Sequence, residues 1–256
     1  MNKIYIIFIL LLFAIAIIYF QTSHYELFIN DDINDDINFY VITLKTPDRI
    51  QNINLQNKKL NANIIITDAV NGINLNQDEL LKIGELSKLF YNNNDIKRNK
   101  EIGCYKSHYN IYNLINNNYN KKKYSIILED DFNIIPENVT KQIQNLVKNL
   151  DDYSNLNQNP NFDFDIIFLG NTFANHSNDV LKDNIHYIDK NKFTIGTFAY
   201  LVNNKNISKI IEATKIIDSP IDNKMDTLIK NNQINAYVVF PNLINYIVEC
   251  KSNITN

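Results

Sequence analysis

The chain has 256 residues, enough for one large domain or two small ones with a sizeable core. Hydrophobic residues make up 45% and charged residues 21%, a balance that indicates a globular protein and excludes a disordered one. The net charge of -3 gives no electrostatic basis for nucleic-acid binding. Two cysteines, Cys104 and Cys250, cannot by themselves form a disulfide scaffold or a Cys-based zinc site, and a single bridge between them is left open.

The N-terminus carries an uncharged apolar run over residues 4–20, preceded by Lys3 and followed by an acidic segment. This pattern predicts a transmembrane signal anchor over residues 1–20, with the membrane crossed by residues 4–20 and an acidic stem over 21–37. A cleaved signal peptide is the alternative, but the run is not followed by a clear small-x-small cleavage site. We therefore expect a single-pass membrane protein whose domain, residues 38–256, lies in a lumen or periplasm.

The first part of the domain reads as strand, helix, strand. Residues 39–44 and 63–67 have strand composition, and residues 50–60 carry a weak helical pattern between them. This order predicts a βαβ unit with two parallel strands. A helix over 76–90 and a polar connector over 91–100 are expected next.

A helix with an aromatic face is predicted over residues 103–115, because Tyr105, His108, Tyr109 and Tyr112 recur at helical spacing. The pattern favours His108 as a buried histidine that packs the helix on the sheet, with metal ligation as the alternative. Cys104 is most simply a small buried apolar residue.

A buried strand over residues 125–128 runs directly into Glu129, Asp130 and Asp131. Three adjacent carboxylates repel one another, and a Mn²⁺ or Mg²⁺ ion would relieve that repulsion. The alternative is a strand that simply ends in an acidic turn, since the chain is rich in Asp.

The remaining elements alternate between strands and helices. Strands are predicted over 165–170, 185–188, 194–202, 234–240 and, more weakly, 242–249. Helices are predicted over 137–149 and 207–217, and residues 219–226 form a turn that leads into a further helix. Loops are predicted over 151–161 and 171–184. The alternation predicts an α/β sandwich with the acidic turn at the carboxyl end of a central strand, where ligands bind in open α/β sheets.

Several of these stretches together resemble the family 25 glycosyltransferases. The resemblance covers residues 38–248, and its most specific parts are the Gly-Cys-x-x-Ser-His block at 103–108 and the Leu-Glu-Asp-Asp block at 128–131. The further matching stretches are 41–49, 68–72, 165–170, 196–201 and 220–222. Thr43 stands where the family usually has Asn. The resemblance implies a GT-A-like, nucleotide-sugar-binding α/β/α sandwich, a Mn²⁺-type metal and inversion at the anomeric carbon.

Roles for five acids follow from the resemblance together with the local chemistry. Among the expected metal residues, Asp131 is the direct ligand, Asp130 contacts ribose or a metal-bound water, and Glu129 orients them. An inverting transfer also needs a base for the acceptor hydroxyl. Asp222 is the candidate, with Asp226 behind it; its alternative is an acid that favours a helix N-terminus.

Five further residues are predicted to contact the donor. Gly103, Ser107 and His108 match the family block, although Gly103 alternatively permits a tight strand-to-helix turn. Asp68 and Arg49 are expected to contact nucleotide or phosphate, with a solvated surface charge as the alternative for Arg49.

The sequence thus predicts a Mn²⁺-dependent (or Mg²⁺-dependent) inverting hexosyltransferase that uses UDP-galactose or UDP-glucose and a glycan or hydroxylated protein acceptor. One alternative is a non-catalytic GT-A-fold protein that binds carbohydrate or nucleotide sugar. Another is a nucleotidyltransferase, which the missing Gly-rich phosphate loop disfavours.

Overall fold

A computed structural model describes residues 33, 36–92, 95–117, 122–155, 163–172, 176–193 and 196–247 of the chain. The chain divides into two compact units, Met1–Asp35 and Asp36–Asn256. The predicted anchor over residues 4–20, most of the stem and Cys250 lie outside the described residues. Within the described part, no helix has both the length and the apolar character needed to cross a membrane.

The second unit alternates between strands and helices along most of its length. Its strands are β1 (Ile37–Thr43), β2 (Ile64–Asp68), β3 (Tyr124–Glu129), β4 (Phe132–Ile134), β5 (Ile166–Phe168), β6 (His176–Lys182), β7 (Ile185–Ile188), β8 (Ala199–Asn203), β9 (Ala236–Val239) and β10 (Ile244–Tyr246). Its helices are α1 (Pro47–Leu60), α2 (Gln77–Lys82), α3 (Ile96–Asn117), α4 (Val139–Asn155), α5 (Ile207–Ala213) and α6 (Ile221–Lys230).

Eight strands form one mixed sheet in the order β2-β1-β3-β8-β5-β9-β7-β6, and β4 pairs separately with β10. Strand β1 runs parallel to both neighbours, with Val41 opposite Ile66 on β2 and opposite Leu128 on β3. The predicted βαβ unit is therefore confirmed. Because β1, β2 and β3 are parallel, their carboxyl ends meet at one edge of the sheet, and the acidic turn after β3 lies at that edge.

Both faces of the sheet are buried along β1 and β3, where successive side chains alternate between the faces. Tyr40 and Ile127 join a core cluster with apolar residues of α3, α5 and α6. Phe39 and Val41 point the other way and are also fully buried, while α1 and α4 pack against each other. This α/β architecture with a large mixed sheet fits a GT-A-like fold.

Several predicted element boundaries were wrong. The helix expected over 76–90 is only α2, and Gly84 follows it with a φ of 80°. Helix α3 starts at Ile96, inside the expected polar connector, and α4 continues to Asn155, into an expected loop. Strand β8 begins only at Ala199, whereas a strand from residue 194 was expected.

The loop predicted over residues 171–184 is also wrong, because β6 occupies half of it and forms the last strand of the sheet, beside β7. None of its residues is buried, so the strand leaves no alternation of apolar residues in the sequence. Strand β4 was missed as well, since three residues after an acidic turn carry too little pattern.

Candidate active site

A cleft of about 260 Å³ opens at the carboxyl edge of the sheet, between the ends of β1 and β3, the loop after β2 and helix α3. Six of the predicted site residues line it: Arg49, Ser107, His108, Glu129, Asp130 and Asp131. The carboxyl ends of the parallel strands and the start of α1 converge on this edge. Residues that are distant in sequence therefore line the same cleft.

Arg49 lies between the two aspartates of the acidic turn. Its Nη1 is 3.1 Å from Oδ1 of Asp130 and 3.2 Å from Oδ2 of Asp131. Helix α1 starts four residues after β1 ends, and this short connection brings Arg49 to the sheet edge. The side chain is buried, with 4% exposure for the residue, so the alternative of a solvated surface charge is wrong. Nδ2 of Asn52 holds the turn by donating to the carbonyl oxygens of Asp130 and Phe132.

Arg49 compensates only part of the negative charge of the aspartate pair, Asp130 and Asp131. Burial and the charge of Glu129 raise the pKa of Asp131 to about 6. Burial also raises the pKa of Asp130, against a hydrogen bond from Thr43 and the charge of Arg49. Oδ1 of Asp131 is buried and has no hydrogen-bond partner among the described residues. Two carboxylates, one with an unsatisfied oxygen, suit a hard divalent cation.

Glu129 makes its contacts away from the aspartate pair. Its Oε1 lies 3.3 Å from Nε2 of His108 and 3.2 Å from the hydroxyl of Thr197. Burial works against ionisation, but His108, Thr197 and the charge of Arg49 together hold the pKa of Glu129 below its ordinary value. Glu129 therefore carries its negative charge near neutral pH.

The aromatic face of α3 connects His108 to strand β8. Nδ1 of His108 lies 2.7 Å from the Tyr200 hydroxyl, which lies 2.8 Å from the Tyr112 hydroxyl. His108 is fully buried and stacks on Tyr200. The prediction of a buried histidine that packs α3 on the sheet is confirmed, although the same ring lines the cleft. Tyr200 was not among the predicted site residues, since nothing in the local sequence relates it to His108.

Thr197 joins Asp222 to this group. Its hydroxyl donates to Oδ1 of Asp222 at 2.8 Å and lies 3.2 Å from Glu129. One hydroxyl has one proton, so it serves one carboxylate at a time, and the shorter distance favours Asp222. Burial and the charge of Glu129 raise the pKa of Asp222.

Asp222 lies in the first turn of α6, which is the position that the alternative interpretation, an acid at a helix N-terminus, expects. Asp226, the second candidate base, is one turn further along and pairs with Lys230 at 2.8 Å. Thr197 was missed in the sequence because its contacts to residues 129 and 222 are long-range.

Gly103 and Ser107 support the wall of the cleft. The Ser107 hydroxyl donates to the carbonyl of Gly103 at 2.7 Å and accepts from the Val70 amide at 2.8 Å. A Cβ at Gly103 would lie 2.7 Å from the Val70 carbonyl oxygen and 2.8 Å from the Gly72 nitrogen. Gly103 lies well inside α3, so the alternative of a strand-to-helix turn is wrong. It lets the loop after β2 approach the helix.

Asp68 and Thr43, which end the neighbouring strands β2 and β1, differ in whether they line the cleft. Asp68 ends β2 with its side chain 80% exposed and pairs with Lys45 at 2.6 Å, and it is not among the residues that line the cleft. Thr43 ends β1, lines the cleft and hydrogen-bonds Asp130. The residue that departs from the family pattern thus contacts the aspartate pair.

Comparison with known families gives one finding that covers most of the chain. A family model described as glycosyltransferase family 25 (LPS biosynthesis protein) matches residues 36–225. The matched region contains the predicted site residues from Arg49 to Asp222 and ends one residue before Asp226, the second candidate base. No curated protein matches the chain.

Proposed function

The chain belongs to glycosyltransferase family 25, and we propose that it moves galactose or glucose from a UDP-sugar to a hydroxyl group of a glycan or of a hydroxylated protein. The strongest support is the buried, unpartnered Oδ1 of Asp131, which lies in the cleft at the carboxyl edge of the sheet. A buried carboxylate oxygen without a donor favours a cation as its partner.

In this proposal, Asp130 and Asp131 hold Mn²⁺ or Mg²⁺. When bound, the ion supplies charge neutralisation for the diphosphate that leaves with the nucleoside. Arg49 lines the same cleft and keeps both carboxylates oriented through its Nη1 contacts. Its guanidinium is permanently charged and suits phosphate oxygens, so it contributes to donor binding.

Asp222 takes the role of the base in this reaction. The acceptor hydroxyl attacks the anomeric carbon as its proton passes to the Asp222 carboxylate, and a single displacement of this kind inverts the anomeric configuration. The raised pKa of Asp222 suits a group that must accept a proton near neutral pH. Thr197 fixes the orientation of the carboxylate by donating to Oδ1.

We further propose that residues 4–20 anchor the protein in a membrane and that the transferase domain lies in a lumen or periplasm. The support is the uncharged apolar run between Lys3 and the acidic residues that follow it.

The test is an assay of the full chain with a panel of nucleotide sugars. UDP release is followed with Mn²⁺ and with EDTA, and the configuration of any transferred sugar is read by NMR. We expect metal-dependent release from one hexose donor, lost in Asp131→Asn and retained in Asp179→Asn, an exposed acid on β6.

Three outcomes separate the alternatives. Donor binding without turnover, with every acceptor class tried, indicates a non-catalytic nucleotide-sugar-binding protein. Transfer of a nucleotidyl group indicates a nucleotidyltransferase. If calorimetry detects no donor binding at all, the transferase proposal fails.

A further inference from the structure

Three side chains with metal-binding chemistry meet in the cleft wall, apart from the aspartate pair. The ligand atoms of Cys104, His108 and Glu129 lie within 4.8 Å of one another. In the part of the chain that the structure describes, no other group of three or more His, Cys, Asp or Glu side chains brings its ligand atoms this close together. Asp130 and Asp131 are not part of it, although they follow Glu129 directly in sequence.

We propose that Cys104, His108 and Glu129 form a second cation site, specific for Zn²⁺ or a similar borderline-soft ion. The site offers one sulfur, one nitrogen and one oxygen, a ligand set that zinc accepts and that hard ions such as Mg²⁺ do not select. The inference goes beyond the transferase function and does not depend on it.

The spacing of the ligand atoms fits zinc. Nε2 of His108 and Oε1 of Glu129 are 3.3 Å apart, and two ligands of a tetrahedral zinc at bond lengths of about 2.0–2.1 Å are separated by about 3.3 Å. Cys104 precedes His108 by one helical turn on α3, so both side chains lie on the same face. The thiol must release its proton to solvent when the ion binds.

The contact at the other ring nitrogen supports metal ligation. When Nε2 ligates the ion, Nδ1–H donates a hydrogen bond to the Tyr200 hydroxyl, which lies 2.7 Å away. Tyr200 can in turn donate to Tyr112 at 2.8 Å, so the network satisfies both hydroxyls. This arrangement fixes the ring of His108 before any ion arrives.

The three ligands also leave a position for a fourth. Cys104, His108 and Glu129 all line the cleft, so an ion held by them faces its interior. A water molecule or an anionic group of a bound ligand would complete a tetrahedral shell there. The site is thus of the open kind rather than a closed structural one.

Co²⁺ titration of the full chain tests the site, because a thiolate ligand gives Co²⁺ a sulfur-to-metal charge-transfer band in the near ultraviolet. Excess Mg²⁺ is included to occupy the oxygen ligands of the aspartate pair. We expect one equivalent of Co²⁺ to produce the band and Zn²⁺ to displace it, since a site with a thiolate ligand selects zinc.

Matched variants locate the ion. Cys104→Ser is expected to abolish the band, whereas Cys250→Ser, at the chain's other cysteine, and Asp131→Asn keep it. Tyr200→Phe removes the partner of Nδ1 and is expected to weaken Co²⁺ affinity by about 10- to 100-fold. A band that survives in Cys104→Ser, or that is lost in Cys250→Ser, overturns the assignment.

A second measurement uses the unmodified chain and so does not depend on the folding of any variant. Zn²⁺ is expected to slow the alkylation of Cys104 by iodoacetamide, with each cysteine followed separately by peptide mass spectrometry. An unchanged alkylation rate at Cys104 overturns the site. Neither readout involves sugar transfer, so failure of the zinc site and failure of the transferase function are distinguishable.

Discussion

The hydroxyl of Thr197, in the loop before β8, lies 2.8 Å from Oδ1 of Asp222 in α6, although the two residues are 25 positions apart. The same hydroxyl lies 3.2 Å from Glu129, so a single proton stands between two carboxylates. Both carboxylates cannot accept that proton at once, and burial together with the negative charge of Glu129 raises the pKa of Asp222. This relationship separates an acid that stays ionised from one that can accept a proton.

The first prediction concerns Asp222 as the base. Asp222→Asn is expected to lower kcat by about 10²–10⁴-fold, because the carboxamide cannot accept the acceptor proton. Asp226→Asn is the matched comparison, since Asp226 pairs with Lys230 one turn away. The measurement is steady-state transfer with both variants checked by thermal denaturation. A larger loss of kcat in Asp226→Asn than in Asp222→Asn would reassign the base.

The second prediction concerns Thr197 as a positioning residue. Thr197→Val keeps the shape but removes the hydrogen bond to Asp222, and it is expected to reduce kcat by about 10-fold with little change in KM, on the scale of one lost hydrogen bond. Thr197→Ser restores the hydroxyl and is expected to restore most of the rate. Equal rates in the two variants would show that the hydroxyl does not matter.

The third prediction concerns the pH dependence of stability. The pKa of Asp131 is raised to about 6 in the folded state from 3.8, so the folded protein binds the proton more tightly than the unfolded chain. Its ionisation therefore costs stability as pH rises from about 4 through about 6, and the loss levels off once the carboxyl is ionised in both states. Asp131→Asn removes this cost and is expected to stabilise the protein at pH 7.5 in EDTA by about 2–3 kcal/mol relative to wild type.

Urea denaturation at pH 4 and pH 7.5 measures the effect. At pH 4 the difference between Asp131→Asn and wild type is expected to shrink, since the wild-type carboxyl is then largely protonated. Added Mn²⁺ is expected to stabilise the wild type more than the variant, because an ion at the aspartate pair offsets the repulsion. A variant that is less stable than wild type at pH 7.5 in EDTA would contradict the prediction.

The fourth prediction concerns Arg49, which is buried beside Asp130 and Asp131. Arg49→Met leaves the buried Asp130 and the half-buried Asp131 without their cation and is expected to cost about 3 kcal/mol of unfolding free energy at pH 7.5. The cost is expected to fall at pH 4, where the carboxylates become protonated. Arg49→Lys keeps the charge and should lose less stability. Equal destabilisation of Arg49→Met at both pH values would show that packing, not charge, dominates.

The fifth prediction concerns the glycine inside α3. A Cβ at Gly103 would meet the Val70 carbonyl oxygen at 2.7 Å, so Gly103→Ala is expected to push the loop after β2 outward and to cost about 1–3 kcal/mol. Donor affinity should fall with it, because that loop lines the cleft. Gly84→Ala is the control: it has open space but a φ of 80°, so it should cost about 1–2 kcal/mol without changing donor affinity.

The local pattern of the chain was sufficient for much of the fold. Strands β1 and β3 were predictable because each is a continuous apolar run that both faces of the sheet bury, and the βαβ order implied their parallel neighbours. The position of the acidic turn followed from the end of β3. The family also followed from the sequence, because its two specific blocks lie within short contiguous stretches.

Only the tertiary structure determined which partners the three acids of the turn contact. Glu129, Asp130 and Asp131 read as one metal-binding run, but Glu129 faces His108 and Thr197 while Arg49 lies at the other two. Neighbouring residues at a strand end point in different directions, and their partners come from distant parts of the chain. No local periodicity encodes such long-range contacts. The sequence therefore identified the acids, and the packing of α1, α3 and β8 around the turn determined their partners.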